Sequence, residues 1–227
     1  MKKKLVLIGI SFLLIALIFA GMFKVTKLRT FQFFGGLTYQ VETEEKVIAL
    51  TFDDGPTKNV DQILPLLDQY KAKATFFLIG NDIEKHPEEA KKLIKSGHQI
   101  GNHTYSHKRM VLKSPSFIKE EIEKTDELIR KYGYKGEIDF RPPYGKKLVG
   151  LPYYLNKHKR ETIMWSLEPD TYTSSTDEKV KYVVENIKPG SIILLHPMYD
   201  QTGGEIQVIE DILRELTKKG YKFVTVD

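Results

Sequence analysis

Seven short runs of apolar, β-branched or aromatic residues recur along the chain, at 46–52, 74–79, 99–101, 138–140, 162–167, 191–195 and 221–226. Helix-patterned stretches lie between them. Strands alternating with helices predict a parallel α/β sheet, open or closed. Two of the helices carry clear boundaries. Ser114-Pro115 places an N-cap and a first-turn proline before Phe117, Ile118, Ile122, Leu128 and Ile129, and Gly133 ends the pattern. Ile206, Ile209, Ile212, Leu213 and Leu216 form one apolar face that stops at Gly220. With 227 residues and no internal repeat, the chain has room for one domain of about 200 residues and a short additional segment.

That segment is the N-terminus. Residues 5–23 carry no charge and are flanked by Lys2, Lys3 and Lys4 on one side and Lys24 on the other. At about 1.5 Å per residue the stretch just spans a hydrocarbon core of roughly 30 Å. It is longer than the apolar core of a signal peptide, and Ile18 two positions before Ala20 makes a poor cleavage site. The expectation is therefore a transmembrane anchor or uncleaved signal over residues 1–29, a linker over 30–45 and one domain over 46–227. Charge agrees with this division. The net charge is +5, yet residues 1–29 hold six basic and no acidic residues, which leaves 29 basic against 30 acidic in the rest. A near-neutral body without a basic stripe and interleaved aromatics does not suggest a nucleic-acid partner. The absence of cysteine excludes disulfides and thiolate zinc sites.

Four clusters follow strand-like runs, where α/β folds place active-site loops. Thr51-Phe52-Asp53-Asp54-Gly55-Pro56 sets two carboxylates side by side, which repel when buried unless a cation or an arginine compensates. Asp-Gly-Pro is also ordinary turn chemistry. His103-Thr104-Tyr105-Ser106-His107 spaces two imidazoles by four residues, so a helical turn would put both on one side. With one Asp they make a two-histidine, one-carboxylate set that leaves coordination positions open, as catalytic metals require. Arg141-Pro142-Pro143-Tyr144-Gly145 combines a fixed backbone with a carboxylate partner, and His196 directly follows the apolar run 191–195. His86, His98 and His158 stand alone and read as surface or helix-end residues.

In order along the chain, TFDDGP, HTYSH, RPPYG and LLHP resemble carbohydrate esterase family four, the polysaccharide deacetylases with the nodulation-protein-B homology domain. The resemblance runs from about Lys46 to Asp227 and implies a distorted, incomplete (β/α)7 barrel. It implies Asp53 as catalytic base and Asp54, His103 and His107 as ligands of a divalent metal, with zinc first and cobalt, nickel or manganese as alternatives. Arg141 would orient the base, the Tyr144 N–H would hold the oxyanion, and His196 would be the general acid. Leu194, Tyr144 and Trp165 would contact the substrate. The implied reaction is metal-dependent hydrolysis of acetamido groups on peptidoglycan or a chitin-like polymer, releasing acetate. Alternatives are an O-acetyl esterase of xylan type, a silent glycan-binding domain and an iron-dependent oxygenase.

The pattern departs in one place. The family carries an Asp-Trp pair after the fifth strand that supports the acid histidine, whereas the segment here reads Trp165-Ser166-Leu167-Glu168-Pro169-Asp170-Thr171-Tyr172. Asp170 is the first substitute and Glu168 the second. The expected location is the bacterial cell membrane, single-pass, with the catalytic domain outside, or secretion if the segment is cleaved. The expected partners are a polysaccharide and the membrane, with no obligate protein partner.

Overall fold

The computed structural model describes residues 2–226, without the side chains of residues 2, 3 and 5–8. The elements run α1 (Lys2–Val25), β1 (Leu37–Thr38), β2 (Val47–Asp53), α2 (Val60–Gln69), β3 (Thr75–Leu78), α3 (Gly80–Lys85), α4 (Pro87–Lys95) and β4 (Gln99–Asn102). They continue with α5 (Pro115–Lys131), α6 (Gly150–Lys157), β5 (Thr162–Ile163), α7 (Thr176–Asn186), β6 (Ile192–Leu195), α8 (Gly204–Lys218) and β7 (Lys222–Val224). The sheet is parallel, in the order β4-β3-β2-β6, with β7 also on β2. Strand β6 lies against residues 49–52 of β2, β3 against 51–53 and β7 against 47–49. The run 138–140 contributes only a bridge at Phe140, which links Asn102 to Thr162. Between 30 and 45 the chain is not plain linker, because β1 pairs in parallel with β5.

The membrane-anchor expectation is corrected. Among the described residues no helix is long and apolar enough to cross a membrane. A single-pass location, and with it the membrane as a partner, is not supported. On α1 the apolar side chains from Ile10 to Phe23, among them Phe12, Leu17 and Phe19, are exposed.

Strand alternation sorts the core into two layers. Ile48, Leu50 and Phe52 of β2, Phe76 and Leu78 of β3, and Ile193 and Leu195 of β6 pack with Ile63 and Leu67 of α2 and Ile209, Ile212 and Leu213 of α8. Residues of the other parity, Ala49, Phe77, Ile192 and Leu194, pack instead with Ile163, Met164 and Trp165. Thr51 is opposite Leu194 in the β2–β6 register. One step of two further along, the same face presents Asp53 and His196. Helix α5 begins where its cap predicts, with Ser114 Oγ accepting the Phe117 N–H at 3.2 Å.

Candidate active site

Asp53 ends β2 almost wholly buried, with Arg141 fully buried beside it. Arg141 Nη1 donates to Asp53 Oδ1 at 2.7 Å and to Thr51 Oγ1 at 2.8 Å. Its Nε and Nη2 donate to the carbonyls of Ile163 and Met164 at 3.2 and 3.0 Å. The guanidinium sits 4.1 Å from the Phe77 ring centroid and 5.5 Å from that of Trp165. Such a fork, saturated on one edge and stacked on its faces, has one orientation available. Burial by itself would raise the Asp53 carboxyl. The charges of Arg141, His103 and His196 outweigh burial and hold it below the usual carboxylate value.

The residue after Asp53 turns the chain. Asp54 has φ 75° and Gly55 φ 67°, and this turn brings the second carboxylate into the cleft. Asp54, His103 and His107 form a group able to hold a metal ion, with ligand atoms within 4.8 Å of one another. His103 Nδ1 donates to the Arg141 carbonyl at 2.7 Å, which fixes the tautomer and leaves Nε2 between Asp53 Oδ2 at 3.6 Å and Asp54 Oδ1 at 3.9 Å. His107 Nε2 is 3.4 Å from the same oxygen. Burial first, and then the neighbouring His103, push the His107 pKa below its ordinary value, which favours the neutral, ligating form.

The two imidazoles do not sit on a helical turn. Residues 103–110 are a loop after β4, with Thr104 at φ 68° and His107 at φ 54°. Side-chain acceptors hold that loop. Asn102 Oδ1 takes the Thr104 N–H at 2.7 Å and Thr104 Oγ1 takes the His107 N–H at 3.0 Å. The buried Glu121 of α5 accepts from both the Ser106 N–H and its hydroxyl, at 2.8 and 2.6 Å.

His196 follows β6. Its Nδ1 donates to Asp170 Oδ2 at 2.8 Å. Lys179, a buried residue of α7, lies 2.7 Å from Asp170 Oδ1 and also pairs with Glu205 of α8. Burial would lower the His196 pKa, but the hydrogen bond from Asp170 and the charges of Asp53 and Asp54 raise it to about 9. Asp170 therefore reaches His196, and Glu168 does not. Glu168 accepts from Trp165 Nε1 at 2.9 Å and from Arg29 Nη2 at 2.5 Å.

Asp53, Asp54, His103, His107 and His196 line one cavity of about 500 Å³, together with Tyr144, Trp165 and Leu194, and Arg141 and Asp170 support it from outside that lining. Tyr144 adopts φ 60° and is exposed, while Leu194 is buried at the base. Lys27 and Arg29, from the segment read as a membrane flank, line the same cavity. Nothing in the sequence around Lys27, Arg29, Lys179, Glu205 or Glu121 marks them, because each acts on residues distant in the chain. Of the other histidines, His86 and His158 lie at helix ends, as expected. His98 does not. It is buried against Phe76, and burial, helped by Lys73, depresses it to about 4.

A buried carboxylate–arginine pair, a metal-competent carboxylate and imidazoles, and an imidazole paired with a carboxylate, gathered at the C-terminal ends of parallel strands, are groups able to carry out a hydrolysis. The sequence model of the polysaccharide deacetylases matches residues 40–163, more than half of the chain, and the chain belongs to this family of carbohydrate-active hydrolases. A Bacillus cereus protein named peptidoglycan-N-acetylglucosamine deacetylase is 37% identical over 85% of this chain and 92% of its own length. A solved peptidoglycan N-acetylglucosamine deacetylase is similar at a TM-score of 0.78 and 32% identity, covering 83% of this chain and 89% of its own. A family-four pseudoenzyme from Bacillus anthracis is similar at a TM-score of 0.75 and 26% identity, over 83% of this chain and 66% of its own.

Proposed function

We propose that this chain hydrolyses the acetamido group of N-acetylated sugars in peptidoglycan, releasing acetate and leaving an amine on the glycan. The carrying observation is the convergence, in one cleft, of the Asp53–Arg141 pair, the Asp54, His103 and His107 group and the His196–Asp170 pair. Asp54, His103 and His107 would hold a divalent metal. Asp54 Oδ1 is buried without a hydrogen-bond partner, and both histidines direct Nε2 toward it, which is the donor set such an ion satisfies. When bound, the ion supplies Lewis-acid polarisation of the acetyl carbonyl and a water of lowered pKa. Zinc is the first assignment for imidazole and carboxylate donors, with cobalt, nickel and manganese as alternatives.

The protein groups divide the remaining work. Asp53, with Oδ1 held by Arg141, has Oδ2 available to take a proton from the attacking water. Arg141 keeps that carboxylate ionised and fixed. The Tyr144 N–H receives the negative charge that develops on the acetyl oxygen. An amine leaves only when protonated, and His196, charged through Asp170, donates that proton as the C–N bond breaks. Leu194 and Trp165 border the space for the acetyl methyl. The cleft is read as the mouth of a distorted, incomplete barrel, a reading supported by the bridges at Phe140 and between Leu167 and Ile193 beyond the main sheet.

The full chain, stripped of metal and reloaded with zinc or cobalt, tests this by acetate release from chito-oligomers, peptidoglycan and O-acetylated xylan. Metal-restored release from an N-acetylated substrate is the expected result. Release from xylan alone would reassign the chain as an ester hydrolase. Metal binding without acetate from any substrate would place it with the pseudoenzymes.

A further inference from the structure

The sequence gathers its excess positive charge near the N-terminus, and part of that charge does not face away from the fold. Residues 26–29 run along the wall of the reactive cleft, held by buried contacts. Thr26 is buried and its carbonyl accepts the Lys147 N–H at 3.1 Å, while Lys147 Nζ donates to the Leu28 carbonyl at 2.6 Å. Arg29 stacks on Trp165 at 4.7 Å and is neutralised by Glu168. The residues between these anchors, Lys27 and Lys146, line the cavity that also holds Asp53 and His196.

Beside them Arg109 lies over the Tyr144 ring at 5.2 Å. Among the described residues none of Lys27, Arg109 and Lys146 forms an ion pair, whereas Arg29 does. Desolvation, and then the positive charges of Arg109 and Lys27, push the Lys146 ammonium below its ordinary value. Outside the N-terminal 29 residues acidic and basic residues nearly balance, so this is a local concentration of charge and not a general property of the surface. Like charges held together beside a reactive centre leave an anion as the missing partner.

We propose that Lys27 and Lys146, with Arg109, form a binding subsite for a carboxylate carried by the glycan next to the sugar being deacetylated. This rests on the reading of the cleft as a site for acetylated glycan. Peptidoglycan supplies such a group in one of two ways: the free lactyl carboxylate of a muramic acid without a stem peptide or, where that carboxyl is amide-linked to a stem peptide, the carboxylates of the peptide. Chitin oligomers supply none. Lysine ammonium groups, which are compact and mobile, suit a carboxylate that approaches at varied angles better than a rigid fork would. The subsite would raise affinity and on-rate for the anionic polymer and disfavour neutral glycans of equal length.

Trp165, the only tryptophan in the chain, reports on this wall. The Asp53→Asn protein, which should bind without turning over, would be titrated by Trp165 fluorescence with four saccharides of equal length. These are a chito-oligomer, peptide-free glycan strands, the same strands with the lactyl carboxylate amidated, and strands bearing stem peptides. The expected result is roughly 10-fold tighter binding of a carboxylate-bearing glycan than of the chito-oligomer at about 20 mM salt, shrinking toward about 300 mM. Tight binding of peptide-free strands that amidation abolishes assigns the lactyl group; tight binding only with peptides assigns the stem. The Lys27→Gln/Lys146→Gln double variant should lose most of the preference. Equal affinity for all four, or a preference that the double variant retains, would overturn the proposal. Acetate release from the same saccharides by the wild-type chain is scored separately. A binding preference without acetate would count against the hydrolase reading and leave the subsite standing.

Discussion

At the scale of single residues, the cleft separates roles that the sequence leaves adjacent. Asp53 and Asp54 are neighbours in the chain, yet one is locked to Arg141 and the other faces two imidazoles. Asp54→Ala and His103→Ala should therefore lose bound metal and activity together. Asp53→Asn should keep stoichiometric zinc and lose at least about 10²-fold in kcat, measured on metal-quantified samples. His196 carries a pH signature. Its native pKa of about 9 lies above the free value of 6.5, so the charged acid is present below about 9 and absent above it. The linked stabilisation has the same sign: fully present below about 6.5, and lost as pH rises through about 9. Asp170→Asn leaves burial unopposed by that hydrogen bond, and the alkaline limb of kcat/KM should move to lower pH. An unmoved limb would remove Asp170 from its role. Lys179 holds the far oxygen of Asp170. Lys179→Met should lower kcat more than it alters KM, with Lys179→Arg recovering part of the loss.

At the scale of elements, what could be read in advance was whatever depends on local pattern. The runs that became β2, β3, β4, β6 and β7 were legible because alternation and apolar content belong to the strand itself. The cap of α5 was legible because Ser-Pro acts within one turn. The two-residue β1 was not, since its only support is β5, more than 100 residues away. The His103–His107 spacing matched a helix, but side-chain acceptors at Asn102, Thr104 and Glu121 hold a loop there, and only the fold brings Glu121 to it. Sheet and site are also coupled through packing. A Cβ on Gly101 of β4 would lie 2.4 Å from the Phe77 ring, the same ring that supports the Arg141 guanidinium. Gly101→Ala should cost roughly 1–3 kcal/mol in urea unfolding. It should also reduce kcat, because the displaced ring moves the residue that fixes Asp53.

At the scale of the whole molecule, the boundary between N-terminal segment and enzyme falls earlier than composition places it. Thr26, Leu28 and Arg29 contact the loop at Lys147 and the wall at Glu168, so removal of residues 1–29 takes away part of the cleft. A chain lacking residues 1–24 should retain the melting temperature of the intact body. One lacking 1–29 should melt several degrees lower and show a raised KM, as scanning calorimetry and initial rates would reveal. The two-layer sorting of β2 and β6 has a further consequence for how such a protein can change over time. Asp53, Thr51, Leu194 and His196 share one face only because each is an even number of residues from the next along its strand. Losing one residue within 47–51 would turn Phe52 toward the cleft and bury the carboxylate among apolar side chains. A substitution can retune this centre one group at a time; a single-residue insertion or deletion in either strand exchanges its lining wholesale. Length variation among descendants of this chain belongs in the loops beyond the strand ends, and an odd-numbered gap inside β2 or β6 would mark a lineage that has given up the chemistry.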